Sequence, residues 1–90
     1  MESNRIAYKQ EIDHRFIKPV RMARNKTQAQ LAELMGVDTS TVGKLERQEL
    51  KFSPLYESKF NEALKRMRVS SIELASIREI ITMKQKRGYR

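Results

Sequence analysis

Residues 27–49 read TQAQLAELMGVDTSTVGKLERQE, and this stretch decides which fold the sequence predicts. Its first part carries apolar residues at helical spacing: Leu31, Ala32, Leu34 and Met35. Thr27, followed three residues later by Gln30, has the pattern of a capping box at a helix start. Gly36 accepts the positive φ that ends many helices. The first part is therefore predicted to be a short capped helix that ends at Gly36.

A second short helix follows at once, and its two sides differ. Asp38 stands at its start as a candidate N-cap, and Val42 and Leu45 form its apolar side. Its other side carries small or hydroxyl-bearing residues and one cation: Thr39, Ser40, Thr41, Gly43 and Lys44. The pattern predicts a helix that packs on the domain by one side and presents the other to a partner.

The rest of the chain predicts three more helices and no strand. Apolar residues recur at helical spacing around residues 14–24, from Pro54 to Met67, and within SSIELASIREIITMK at residues 70–84. Pro19 predicts that the first helix begins shortly before it or bends there, since proline is tolerated in a first turn and kinks a helix further in. Asn25 is expected to end that helix in the left-handed conformation. Since no stretch alternates as a strand does, the predicted fold class is all-α, a compact five-helix domain.

Ninety residues make one small domain. We divide the chain into an N-terminal arm or short helix (residues 1–12), a central domain (residues 13–75), and an extension of the last helix with a basic tail (residues 76–90). A chain of this size buries a modest core, and dimerisation is one common source of added stability.

The chain is strongly basic, with nineteen Lys and Arg against eleven Asp and Glu and a net charge of +8. Residues 14–32 and residues 80–90 hold cations and no acid. Such an excess favours an anionic partner, although a well-solvated basic surface gives the same composition.

Several classes of protein are excluded by what the sequence lacks. It has no cysteine and a single His14, so we expect neither a disulfide framework nor a metal site. No run of about 18 apolar residues is present, so we expect no membrane span. Residues 1–11 lack the apolar run of a secretory signal, and a cytoplasmic location is the simple expectation. No nucleophile–base pair, carboxylate cluster or Gly-rich phosphate loop indicates an enzyme or a cofactor.

Two helices joined by a tight Gly-containing turn form a helix-turn-helix, whose second helix can lie in the major groove of DNA. The segments IKPVRMARNKTQAQLAELMGV, DTSTVGKLER and VSSIEL resemble the lambda-repressor-like (Xre/Cro-type) family of bacterial and phage DNA-binding domains. The resemblance covers about residues 14–75 and implies a domain that binds double-stranded DNA.

The helix-turn-helix context assigns the outer side of the second helix to the DNA bases. Small side chains let a helix approach base edges, hydroxyls can donate or accept, and lysine can donate to guanine. We expect base contacts from Thr39, Ser40, Thr41, Gly43 and Lys44. The alternative is that the hydroxyl residues only solvate a capped helix start.

Contacts to DNA phosphates are expected at the start of the first helix of the pair and after the second. A helix N-terminus attracts anions, and cations neutralise phosphates. The candidates are Thr27, Gln28, Arg47 and Lys51. The alternative for Gln28 is a plain polar residue, and Glu49 places an acid beside Arg47. Gln48 also stands where the family usually has glycine, so the turn there can differ.

The resemblance implies one structural ion pair, between Arg21 and Glu46, packed between helices. Arg21 is therefore not counted among the DNA contacts.

The last helix extends beyond the region that resembles the family and carries apolar residues that a small domain can leave unburied. We expect a dimer interface there, at Leu74, Ile77, Ile80 and Ile81. The alternative is packing back onto the first and fourth helices. The tail KQKRGYR can contact the DNA backbone or remain a solvated end.

The leading prediction for function is a sequence-specific regulator of transcription, a repressor of a phage, plasmid or other mobile element, that binds an inverted repeat as a homodimer. A protein partner that modulates DNA binding is a further expectation. One alternative is an antitoxin that binds both DNA and a toxin protein. Another is an architectural accessory protein that binds DNA away from promoters.

Overall fold

The computed structural model of the protein describes residues 12–87. A 3-10 turn at His14–Phe16 leads into five α-helices within this range: α1 Ile17–Ala23, α2 Gln28–Met35, α3 Thr39–Glu46, α4 Pro54–Arg66 and α5 Ser71–Arg87. The described part contains no strand, so the prediction of an all-α, five-helix domain is confirmed. None of these helices is both long and apolar enough to cross a bilayer. The expected arm and the end of the basic tail lie outside the described residues.

A capped 3-10 turn precedes the first helix, which begins two residues before Pro19. Asp13 caps the 3-10 turn, since its carboxylate accepts a hydrogen bond from the backbone N–H of Arg15 at 2.9 Å. α1 then begins at Ile17, which places Pro19 in its first turn, where the missing N–H leaves no helical hydrogen bond unmade. Asn25 follows the helix with φ 54°, the left-handed conformation predicted for it.

The capping box and the glycine stop of α2 are both present. Thr27 Oγ1 accepts from the N–H of Gln30 at 3.0 Å, and Gln30 Oε1 accepts from the N–H of Thr27 at 2.9 Å. Gly36 ends the helix at φ 73°. The N–H of Val37 then reaches the carbonyl of Ala32 at 2.9 Å, which closes the turn towards α3.

The starts of α3 and α4 differ in how they are capped. Asp38 holds the N-cap position of α3 with extended backbone, but its side chain makes no capping hydrogen bond. Asp38 thus lies at the predicted N-cap position, but the side-chain hydrogen bond expected of a cap is not formed. Ser53 caps α4 by accepting from the N–H of Tyr56 at 3.5 Å, and Pro54 is the first helical residue.

Three non-glycine residues of the described range take positive φ: Asn25, Gln48 and Arg68. Gln48, at φ 62°, stands where the resemblance drawn from the sequence implies a glycine. The turn is kept, since the N–H of Glu49 donates to the carbonyl of Lys44 at 2.8 Å. Gln48 therefore adopts the left-handed conformation itself, instead of the turn changing shape.

The core lies between the helices and is wholly apolar among the described residues. Its fully buried side chains come from the 3-10 turn and from α1 to α4: Phe16, Ile17, Val20, Leu31, Val42, Leu45 and Phe60. Both halves of the helix-turn-helix contribute to it, because Leu31 of α2 and Val42 and Leu45 of α3 are completely inaccessible. The apolar side that the sequence assigned to α3 thus fastens that helix to the domain.

α5 has its apolar residues on two opposite faces. Leu74, Ile77 and Ile81 are 6–8% exposed and belong to the core of the same chain, where α5 packs on the 3-10 turn and α1. Their spacing of three and four residues puts them on one side of the helix. The prediction that these three form a dimer interface is therefore wrong. Ile80, at 51% exposed, lies outside the core, as do Ile72 and Met83.

Arg24 fixes the junction between α4 and α5 to the end of α1. Its Nε donates to the carbonyl of Met67 at 3.1 Å, and its Nη2 donates to the carbonyl of Arg68 at 3.1 Å and to Glu73 at 2.6 Å. These bonds satisfy two carbonyls at the C-terminal end of α4, which has no further helical turn to bond them. The arginine counted as part of a basic segment is thus a structural clamp.

Replacing Gln48 by glycine should stabilise the fold, because glycine adopts positive φ without the steric cost of about 1–2 kcal/mol that other residues bear. We expect a gain of about 1 kcal/mol in the free energy of unfolding, measured by urea denaturation. The matched control is Glu62→Gly, at an exposed position inside α4, which should lose about 1 kcal/mol. Equal losses in the two variants would contradict this account of the turn.

Candidate nucleic-acid interface

An ion pair that is largely shielded from solvent ties α3 to α1. Arg21 Nε donates to Glu46 Oε2 at 2.7 Å, and Arg21 Nη2 donates to Glu46 Oε1 at 3.2 Å. The two side chains are only 14% and 6% exposed. Arg21 Nη1 also donates to the carbonyl of Lys26 at 3.1 Å. The predicted partners thus meet in a two-point contact that ties the last residue of α3 to α1 and to the loop before α2.

Gln28 joins this pair, a contact that sequence reasoning missed. Its Nε2 donates to Glu46 Oε1 at 2.9 Å, so the first residue of α2 and the last residue of α3 are bonded to each other. The side chain expected at a phosphate is thus engaged inside the protein. The groups of Gln28 that remain for an anion are its backbone N–H, at the first position of α2, and the helix dipole behind it.

The outer side of α3 is open to solvent. Thr39, Ser40 and Lys44 are exposed, and Thr41 is half-buried. They lie opposite Val42 and Leu45, which are inaccessible. α3 therefore presents two hydroxyls and an ammonium group, and the described side chains of this helix place no acid among them.

Gly43 does not belong to that open side. It is buried, and a Cβ atom at this position would lie 3.1 Å from Arg47 Nη1 and 3.6 Å from Gln28 Oε1. Two long side chains thus cover the helix backbone here. The expectation that Gly43 contacts a base is corrected, because the side chains of Arg47 and Gln28 occupy the space beside it. A glycine at this position leaves room for both.

Arg47 forms an exposed ion pair with Glu49. Its Nε and Nη2 donate to the two carboxylate oxygens at 2.9 and 3.2 Å, and the side chains are 58% and 54% exposed. The hydrogen bond from Arg47 lowers the pKa of Glu49 and, in return, the carboxylate raises the pKa of the guanidinium. Both groups stay charged near neutral pH. Lys51, two residues further on, is exposed in the loop before α4.

The basic segment at residues 14–32 is less available to an anion than its composition suggests. Arg21 and Arg24 are bonded to Glu46 and Glu73, and Arg15 is bonded to Asp13 at 2.7 Å, which lowers the pKa of that carboxyl. Two of these three cations are thus paired with acids distant in the chain, Arg21 with Glu46 and Arg24 with Glu73, which a count along the sequence does not reveal. In the described residues, no group of three or more His, Cys, Asp or Glu side chains is arranged to hold a metal.

α2, its Gly36 turn and α3 have the geometry of a helix-turn-helix of the DNA-binding class. Both helices pack on the core, and α3 leaves its outer side exposed to solvent. A family model described as Helix-turn-helix matches residues 17–55, from the start of α1 into α4. These residues are a helix-turn-helix domain of the Xre, or lambda-repressor-like, type, and the resemblance stated from the sequence is confirmed. No curated protein and no solved structure matches the chain at a significant level.

The buried ion pair should matter far more to stability than the exposed one. Arg21→Met leaves Glu46 as a buried charge without its ionic partner, and we expect a loss of about 3 kcal/mol in the free energy of unfolding. Arg47→Met, the matched control, breaks a pair exposed to solvent and should change the free energy of unfolding far less. Urea denaturation followed by circular dichroism measures both. Similar losses in the two variants would show that the Arg21 pair does not hold α3.

Proposed function

We propose that the protein is a sequence-specific regulator of transcription, a repressor that binds double-stranded DNA as a homodimer with α3 in the major groove. The observation that carries this proposal is the exposed face of α3, formed by Thr39, Ser40 and Lys44, on a helix fixed from below by Val42 and Leu45. It lies inside the matched helix-turn-helix, whose family is that of DNA-binding regulators.

The chemistry of that face suits base edges. Lys44 can donate to O6 or N7 of guanine, and the hydroxyls of Thr39 and Ser40 can donate or accept. Their small size lets the start of α3 come close to the floor of the groove. Thr41, which is half-buried, lies at the margin of this face and is the weaker candidate for a base contact.

Phosphate contacts would flank the reading helix. The first turn of α2 directs the backbone N–H of Gln28 and the positive end of its dipole outward, beside exposed Thr27. Lys51 is exposed in the loop that follows α3, and Arg47, just after α3, is paired with Glu49. Together with a net charge of +8, these groups would supply the part of the affinity that is independent of sequence.

The interface between the two copies would be the outer face of α5. Ile72, Ile80 and Met83 are 79%, 51% and 55% exposed, and their spacing of eight and three residues places them on one side of the helix. This replaces the interface expected from the sequence, of which Ile80 alone remains. Two domains related by a two-fold axis would read an inverted repeat, since the symmetry of the protein is mirrored in its site.

The same face of α5 is the reason for keeping a second candidate function. Its exposed apolar residues can bind a different protein as well as a second copy. An antitoxin would use α3 for DNA and α5 for the toxin. Recovery of the pure protein as a dimer favours the regulator, and a monomer that forms a stable complex with a second small protein favours the antitoxin.

DNA binding is tested by selecting a binding sequence from random duplexes and titrating it by fluorescence anisotropy at several salt concentrations. Binding through several phosphates predicts an affinity that falls steeply with salt. Ser40→Ala with Lys44→Ala should reduce the preference for the selected sequence by about tenfold or more, since a good base contact discriminates by about 1–3 kcal/mol. The control pair, Ser58→Ala with Lys65→Ala on the exposed side of α4, should leave the preference unchanged. Retained preference in the α3 variant would rule out base reading by these residues.

The oligomeric state is tested by analytical ultracentrifugation of Ile80→Lys. A lysine on the outer face of α5 puts a like charge on both sides of a symmetric contact, so we expect the dimer to dissociate. Leu55→Lys is the matched control, because Leu55 is 60% exposed on α4 and should leave the dimer intact. A dimer that survives Ile80→Lys would place the interface elsewhere.

A further inference from the structure

The Arg47–Glu49 pair lies just after the C-terminal end of α3, at the edge of the proposed DNA surface. The left-handed turn at Gln48 reverses the chain, and the N–H of Glu49 bonds to the carbonyl of Lys44 at 2.8 Å. This brings the Glu49 carboxylate back against Arg47, which lies only two residues before it. The pair is therefore a product of the same turn that ends the reading helix.

The guanidinium of Arg47 has one edge on Glu49 and another over Gly43. Nε and Nη2 donate to the carboxylate, and Nη1 lies 3.1 Å from the Cβ position of Gly43, where the side chain of Gln28 is also in contact. Arg47 and Gln28, the first residue of α2, therefore both lie beside Gly43, at the first turn of α2. That turn is where the proposed function places a DNA phosphate.

We propose that Glu49 is an internal competitor of the DNA backbone, which holds the guanidinium of Arg47 away from phosphate. This inference rests on the proposed function. A carboxylate and a phosphate bind the same edge of a guanidinium through two parallel hydrogen bonds, and the Nε–Nη2 edge of Arg47 can hold one of them at a time. DNA either leaves Arg47 on Glu49 and loses a phosphate contact, or displaces Glu49 and leaves a carboxylate beside a phosphate.

Both outcomes weaken binding, and they do so equally for every sequence, because phosphates carry no sequence information. The pair is also neutral as a unit, so it releases no counterion from DNA while it stays closed. Glu49 therefore acts on the sequence-independent part of the affinity. Thr39, Ser40 and Lys44 keep their places on α3, and the charge of Lys44, which also acts on Glu49, is the one link between this pair and the base-reading face. The main effect of Glu49 is therefore on affinity for all sequences alike.

Glu49→Gln removes the competing charge and keeps the size of the side chain. We expect tighter binding by about three- to tenfold at low salt, on random and selected duplexes alike, and a slope of log affinity against log salt that is more negative by about 0.9, the value for one added phosphate. Glu62→Gln, on the exposed side of α4, makes the same change of net charge away from this surface and should alter neither quantity.

A double-mutant cycle separates competition for Arg47 from simple repulsion between Glu49 and DNA. In an Arg47→Gln background, Glu49→Gln should bring a much smaller gain and no change of the salt slope, because only the repulsion between carboxylate and phosphate is removed and there is no guanidinium to release. An equal gain in both backgrounds, or an unchanged salt slope in Glu49→Gln, would overturn the inference while leaving the proposed function intact. Absence of DNA binding by the wild-type chain and by Glu49→Gln would overturn the proposed function and this inference with it.

Discussion

The contact between Arg21 and Glu46 is the constraint on which the position of α3 depends. α3 has eight residues, too few to be stable by itself in water, so its direction is set by what it packs against. Val42 and Leu45 fix its depth in the core, but apolar contacts alone allow a helix to slide and turn. The two-point ionic contact, shared with Gln28, adds a directional tie at its last residue. Among the described residues no buried side-chain polar atom lacks a partner, so this buried polar network is fully satisfied.

Gly43 shows how the structural network and the outer surface meet. Its missing side chain leaves space that Gln28 and Arg47 fill from two directions, one of them bonded to buried Glu46 and the other to exposed Glu49. The buried carboxylate orders the protein, and the exposed one lies where DNA is proposed to bind. The two acids thus differ in role because they differ in burial, although they stand three residues apart.

Local chemistry made much of the fold predictable from the sequence. The capping box at Thr27, the left-handed Asn25 and the helix start at Pro54 follow from a few neighbouring residues, and the structure has all three. Contacts set by tertiary packing could not be read in this way. The burial of Gly43 depends on side chains from two helices, and the division of α5 into a core face and an outer face depends on where that helix docks. The helical spacing of apolar residues identified α5, but it did not show which of those residues would be buried within the same chain.

The inner face of α5 completes the core of its own chain through Leu74, Ile77 and Ile81. Each domain therefore has its full set of buried apolar contacts before it meets another copy. Association through the outer face would join folded units without requiring either to fold on the other. Such a dimer would form and separate by mass action, and its fraction would follow the amount of protein present. A chain of this construction could sense its own concentration, because the number of copies would decide how many paired reading helices exist.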